Sequence, residues 1–290
     1  MKTRLIAVAL SAAILTTPVY TFAQAAPQQS APVPVDPSTK KAREALDKMI
    51  QAMGGNAFLG YKTITQLGRT YSFHQGQPKD VSIQYARMWE WPDKDRFQLV
   101  VGDEYALGAL VGIDTTHKSK NGTVSYIHTG DKGYEVSYKG TAEEDPKALQ
   151  DYLRRRAHSP EIVLREWLKD PATIVLSSGT AIVDQKMVNQ ITLINPKNDS
   201  VTLSIDTNSN LLVSRSFTYR DEFGYKVTDT EMYANFRNVD GIQTPMSIVR
   251  MHDDQMVSQR FVSEAHYNVN LAPTTFDAQV TYDPKTNKKK

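Results

Sequence analysis

The segment ALDKMIQAMGGNAFLGYKTITQLG, Ala45 to Gly68, changes period in its middle. Apolar residues recur at three- and four-residue steps as far as Met53, and an alternating pattern begins near Lys62, beyond Gly54-Gly55. The first period belongs to an α-helix with one apolar face, the second to a β-strand. A single amphipathic helix ahead of a strand-rich chain has two uses. It covers an open side of the sheet, or it forms the floor or lid of a cavity.

Read upstream, Ala42, Ala45, Leu46, Met49, Ile50 and Met53 share one helical face, and Lys41, Arg43, Glu44, Asp47, Lys48 and Gln51 take the other. Ser38 or Thr39 is placed to cap the helix start, and Gly54 to adopt the left-handed conformation at its end. Before it, APQQSAPVPVDP reads as an extended tether over 26–37. At the very start, Lys2 and Arg4 precede an eleven-residue apolar run, Leu5 to Leu15, and small residues at Ala23 and Ala25. This is the pattern of a signal peptide over 1–25, cleaved after Ala25, with the periplasm as the expected destination. The run is shorter than the roughly 20 residues of a membrane-spanning helix, so no transmembrane helix is expected in the mature chain.

Read downstream, alternating segments follow: TITQLGRTYSFH, VSIQYARMWEW, DRFQLVV, TVSYIHT and YEVSYKG, then, after a helical interval, ATIVLSS, MVNQITLI, SVTLSID, LLVSRSFTYR, KVTDTEMYANF, IQTPMSIVRM and MVSQRFVSEAHYNV. Short turn signals such as Gly76-Gln77, Asp240-Gly241 and Asp253-Asp254 make neighbours antiparallel. Several strands are long, and a sheet of about eleven of them twists until it curls on itself. The interval DPKALQDYLRRRAHSPEIVLREWLKDP supplies a second helical element, opened by Asp145-Pro146 and restarted by Ser159-Pro160. Its apolar members are Leu149, Tyr152, Leu153, Val163, Leu164, Trp167 and Leu168. The expected fold is mainly β with helices (α+β): an unclosed antiparallel half-barrel whose helices cover a cavity. It forms one domain over 38–280, ahead of a disordered basic tail over 281–290.

Composition excludes several functions. The chain has no cysteine, which removes disulfides, thiol chemistry and a lipid-modified N-terminus together. Loss of Lys2 and Arg4 leaves the basic residues equal in number to the 32 acidic ones, so no bulk field attracts nucleic acid or anionic lipid. No cofactor is expected. His74, His117, His128, His158, His252 and His266 show no zinc spacing, and HDDQ at His252 reads as a hairpin turn rather than a metal site. Neither a G-x-S-x-G elbow nor a Gly-rich phosphate loop is present. Ser, His and Asp converging from separate strands stay open as a hydrolase alternative.

Taken in order, ALDKMIQAMGGNAFLGYKTITQLGR, WPDKDRFQL, KGYEVSYKG, VTLSIDTNSNLLVSRSFTYRDEFG and YANFRNVDGIQTPMSIVRMHDDQ, ending in NVNLAPTTFD, resemble the outer-membrane lipoprotein-sorting-protein-like family. That family is related in fold to the LolA, LolB and LppX carriers. The resemblance implies an unclosed β-barrel with helices over a hydrophobic cavity. It also implies a monomeric periplasmic protein that binds or transports lipid or lipoprotein acyl chains, with a membrane-bound donor or acceptor as a further partner. It carries over no individual binding residue and no cargo.

Aromatic placement gives candidates for the cavity wall. Tyr85, Arg87, Trp89 and Trp91 share one face, as do Val124, Tyr126 and His128, then Tyr134, Val136 and Tyr138, then Val213, Arg215, Phe217 and Tyr219. With Trp167, the aromatic members Tyr85, Trp89, Trp91, Tyr126, Tyr134, Phe217 and Tyr219 are the lipid-cavity candidates; ordinary core packing is the competing reading. Arg69, Arg87 and Arg215 lie in phase with aromatic residues and are candidates for a charged rim that grips a phosphate or carboxylate. An unclosed sheet also leaves edges, so a protein-interaction module is the alternative class.

Overall fold

The computed structural model describes residues 37–79, 82–100, 123–286 and 288–289. The expected signal peptide, 1–25, and linker, 26–37, lie outside these residues, except that Pro37 opens the first helix. That helix, α1 (Pro37–Met53), buries the stripe read from the sequence: Ala42, Leu46, Met49, Ile50 and Met53 are all buried. Each large member contributes about 1.5–3 kcal/mol by leaving water. Ser38 does not serve as a cap. Proline already opens the helix, and the Ser38 hydroxyl instead accepts a hydrogen bond from the backbone N–H of Ser177 at 3.3 Å. The helix ends as expected at Gly54 (φ 127), with Gly55 (φ 57) after it: the Gly54 N–H returns to the Gln51 carbonyl at 3.2 Å and the Gly55 N–H to the Ile50 carbonyl at 2.8 Å. A short helix α2 (Asn56–Gly60) follows.

The strands form one antiparallel sheet of fourteen. In chain order they are β1 (Thr63–His74), β2 (Gln77–Pro78), β3 (Ile83–Glu90), β4 (Lys94–Val100), β5 (Thr123–Thr129), β6 (Lys132–Ser137) and β7 (Gly140–Glu143). After the helical interval come β8 (Ile174–Val183), β9 (Lys186–Ile194), β10 (Ser200–Asp206), β11 (Leu212–Arg220), β12 (Lys226–Val239), β13 (Ile242–His252) and β14 (Gln255–Tyr267). The excess over eleven includes β2 and β7, two and four residues long, too short for alternation to reveal. Tight turns connect the meander. Asp240-Gly241 and Asp253-Asp254 have positive φ at both central positions, as a two-residue hairpin requires, so the HDDQ segment is a turn.

The order across the sheet is β7-β6-β5-β4-β3-β1-β14-β13-β12-β11-β10-β9-β8, with β2 on β1. The chain thus builds one edge, β7, then crosses to the other, β8, before returning to close on β1. The crossing carries α3 (Pro146–Ala157) and α4 (Pro160–Arg165). Both start where the dipeptides place them. Asp145 accepts from the N–H groups of Lys147 and Ala148, Ser159 accepts from Ile162, and proline follows each cap.

The main core lies between α1, α4 and the β8–β13 half of the sheet, with Val163, Leu164, Val175, Leu193, Leu203 and Ile205 buried together. A second cluster, Ala86, Met88, Ile127 and Phe276, lies on the opposite face and is covered by the chain after β14. That chain also covers an edge: Thr281 makes two hydrogen bonds to Thr141 of β7, at 2.9 and 3.0 Å. Beyond it Tyr282–Asp283 (β15) pairs with Lys288–Lys289 (β16), so the segment expected as a disordered tail is in part ordered against β7.

Gly68 marks the closure. Its neighbour β14 carries one extra residue there, since Leu67 faces Glu264 and Gly68 faces Val262. A Cβ at Gly68 would overlap the Phe261 carbonyl oxygen and press on the Tyr85 ring. Gly68→Ala should therefore destabilise the fold by about 1–3 kcal/mol, read from urea unfolding midpoints. At Gly60 nothing lies within 4 Å of an added Cβ, and Gly60→Ala should be neutral or slightly stabilising. Equal midpoints for the two variants would show that the closure at Gly68 is loose.

Candidate functional site

Helices and sheet enclose a cavity of about 640 Å³, within the roughly 300–1,000 Å³ range of small-molecule sites. Its wall follows from alternation. From β1, Ile64, Gln66, Thr70 and Ser72 face inward; from β3, Arg87 and Trp89; from β4, Asp95, Phe97 and Leu99; from β5, Tyr126 and His128. Apolar surface comes from Met53, Phe58, Ile64, Trp89, Phe236, Ile242 and Ile248. The roof is α3, whose Ala148, Asp151, Tyr152, Arg155 and Arg156 recur at helical spacing and turn a polar face to the cavity. None of the α3 residues is fully buried, so Leu149 and Leu153 do not act as the core stripe expected of them.

The floor carries charge. Arg215, Glu231 and Arg250 stand opposite one another on β11, β12 and β13. Asp229, one pleat along, joins Arg215 at 3.4 Å, Arg250 at 2.8 Å and the His252 ring at 3.0 Å. Glu231 joins Arg215 at 3.1 Å and Arg260 at 3.6 Å. Arg215 is 1 % exposed, so its charge depends wholly on these partners. Burial alone would raise both carboxyls. For Asp229 the hydrogen bond from His252 and the Arg250 and Arg215 guanidinium groups outweigh it and hold the carboxyl well below its ordinary range. For Glu231, Arg215 and Arg260 do the same and pull it to about 2.

A second polar group sits on the other wall. Arg87 grips Asp95 with two N–H groups, Nε and Nη2, each at 3.0 Å, and the Tyr152 hydroxyl donates to Asp95 at 3.4 Å. The Tyr152 ring stacks on His128 with centroids 3.4 Å apart, and His128 Nε2 meets Glu144 at 2.8 Å. Among the described residues no group of three or more His, Cys, Asp or Glu is placed to hold a metal.

Of the eight aromatic candidates, Trp89 and Tyr126 are in the wall. Tyr85 shares their face but lies stacked on Phe97, 1 % exposed, and outside the lining. Trp91 follows β3 and sits beneath Arg165, whose guanidinium carbon is 4.8 Å from its ring centre. Trp167 and Phe217 are core residues that meet the His158 ring, Trp167 edge-on and Phe217 stacked. Tyr219 is stacked under Arg154 at 3.9 Å. Tyr134 pairs with Ile127 and packs in the opposite-face cluster, so it is no part of the wall. Among the arginines, Arg87 and Arg215 line the cavity, whereas Arg69 is on the far face and donates to Ser82 at 2.8 Å. The reading missed Met53, Phe58 and the α3 face. A stripe at 148, 151, 152, 155 and 156 was the signal available for the last.

Arg165 is a further unexpected feature. Buried in the core, it donates to the carbonyls of Tyr61 at 2.8 Å and Phe58 at 3.0 Å and lies over the Tyr61 ring at 4.2 Å. It ties α4 to the end of α2.

No protein-family model matches the chain, and no curated protein matches it in sequence. Among solved structures, it is similar to a DUF1329 family protein from Desulfovibrio piger, with a TM-score of 0.51 and 10% identity over 83% of this chain and 97% of that one. It is also similar to a putative outer membrane lipoprotein-sorting protein domain from Vibrio parahaemolyticus, with a TM-score of 0.50 and 10% identity over 82% of this chain and 97% of that one. At such identity the likeness is one of fold. Over more than four-fifths of its length, then, the chain is similar in fold to a putative outer membrane lipoprotein-sorting protein domain.

Proposed function

We propose that the protein is a periplasmic carrier that sequesters the acyl chain of a lipid or lipoprotein between its helices and its sheet. One observation carries this reading: a cavity of about 640 Å³ with Met53, Phe58, Ile64, Trp89, Ile242 and Ile248 in its wall. Each methylene moved from water into such a wall contributes about 0.8 kcal/mol, so escape into water is slow. In a bilayer the same chain is already out of water, and exchange with a membrane needs no energy source. The fold likeness to a lipoprotein-sorting protein domain supports the reading. Among the described residues no helix is long and apolar enough to cross a membrane.

A second reading, a protein-interaction module, is favoured by the apolar side chains exposed at the β8 edge. Ile174 is 52 % exposed, Ile182 78 % and Met187 59 %. Organic extraction of protein purified from the periplasm separates the two. The carrier reading expects co-purified acyl lipid, and lipid-free protein holding one stoichiometric partner would replace it with the module. Phe236→Asp, at a half-buried wall position, should lower the lipid content several-fold while circular dichroism stays unchanged. An unaltered lipid load would remove Phe236 from the binding wall.

Carriage also needs the charged floor intact. Asp229 and Glu231 titrate lower in the folded protein than their ordinary 3.8 and 4.5. Their stabilising effect is therefore complete above those ordinary values and is lost as pH falls through the folded ones. The urea midpoint should stay level from pH 8 to about 5 and fall between about pH 4.5 and 2. In Glu231→Gln that fall should be shallower. The same slope in both proteins would mean that Glu231 is not held by Arg215.

A further inference from the structure

Arg154, Arg155 and Arg156 are consecutive on α3, so their side chains leave the helix about 100° apart. Two of them are accounted for. Arg154 pairs with Asp151 at 2.7 Å and lies over Tyr219. Arg156 donates to the carbonyls of Gly130 at 2.6 Å and Asp93 at 3.2 Å, which latches α3 to the turns beside β4 and β5. Arg155 lines the cavity, and its guanidinium makes no hydrogen bond or ion pair with any described residue.

The carboxylates that act on Arg155 from the helix and the floor are already engaged. Asp151 holds Arg154, Asp229 holds Arg250, Arg215 and His252, and Glu231 holds Arg215 and Arg260. Around the floor, four guanidinium groups, those of Arg155, Arg215, Arg250 and Arg260, meet two carboxylates, those of Asp229 and Glu231. Desolvation, and then the like charge of Arg250, push the Arg155 pKa down to about 10. It remains a cation at neutral pH, half-buried and without a counter-ion, an arrangement that costs free energy until an anion arrives.

We infer that the cavity takes an anionic amphiphile, with its phosphate or carboxylate head on Arg155 and its hydrocarbon chain against the wall at Phe58, Ile64, Trp89 and Ile242. This rests on the carrier reading and narrows its cargo. A planar guanidinium suits two oxygens of such a head at once, which a neutral glyceride or alcohol cannot offer. Apolar wall and cation in one cavity require both properties in one molecule, so a free anion would leave the hydrocarbon side in contact with water.

The test uses the delipidated full chain and three probes, hexadecyl phosphate, hexadecanol and inorganic phosphate, titrated calorimetrically. Hexadecyl phosphate should bind about 10- to 100-fold more tightly than hexadecanol, the size expected of one charge-assisted contact. In Arg155→Gln that ratio should fall towards one, and Arg155→Lys should keep part of it. Equal affinity of the wild-type protein for the two amphiphiles would overturn this inference and leave the carrier reading standing; absence of binding by both would overturn the two together. Inorganic phosphate binding as tightly as hexadecyl phosphate would replace the amphiphile with a free anion. A ratio retained in Arg155→Gln would take the head away from Arg155. The wild-type comparison stands without either variant, so a misfolded substitution, visible by circular dichroism, does not shield the proposal.

Discussion

The architecture depends on one topological constraint: the strands at the two ends of the sheet, β7 and β8, are joined by a single link of about thirty residues. Much of that link is coiled into helix, which shortens its reach, and curling of the sheet brings its two ends nearer. The crossing segment must then pass over the inside of the curl, which places α3 and α4 above the sheet. The cavity is the space that this span leaves. α4 descends into the core through Val163 and Leu164 and is clamped by Arg165 to α2, while α3 buries none of its residues fully and so stays up as a roof.

A sheet that does not close on itself leaves two strand edges, which invite pairing with other chains. Each edge here meets a covering contact. Thr281 binds the backbone of Thr141 on β7, and Ser38 at the start of α1 accepts from Ser177 on β8. Chain from both ends of the described fold thus blunts its sheet. The two halves of the sheet bury different faces as well, the β8–β13 half against the helices and the β3–β6 half against the segment around Phe276.

Much of this was legible in the sequence, and the rest failed for identifiable reasons. The α1 stripe, the caps at Asp145 and Ser159, and the hairpin turns at Asp240 and Asp253 follow from local chemistry and need no partner to be seen. Face assignment is different. Alternation says that Tyr85, Arg87 and Trp89 lie together, and that Tyr134 and Val136 do, but not which set meets the helices. The β3 set faced the cavity and the β6 set faced away, so Tyr134 went with the outer cluster. Arg69 was lost in the same way, because inward positions on β1 are even-numbered. On α3 the apolar residues drew the reading, although the stripe that reaches the cavity is Asp151, Tyr152, Arg155 and Arg156.

Under the proposed carrier reading, the mixed wall bears on how a load is released. A wholly apolar hollow would match the bilayer interior and offer a chain no preference in either direction. A buried ion pair such as Arg215–Asp229 is costly to break, yet apolar packing of equal volume often matches it, so its place in the wall is not explained by folding alone. What such a pair does is make the hollow less favourable to hydrocarbon than a bilayer is, while a cation such as Arg155 favours a charged head. The chain term then drives release to a membrane and the head term drives capture. In that reading the balance between them, rather than the size of the cavity, sets which way cargo moves.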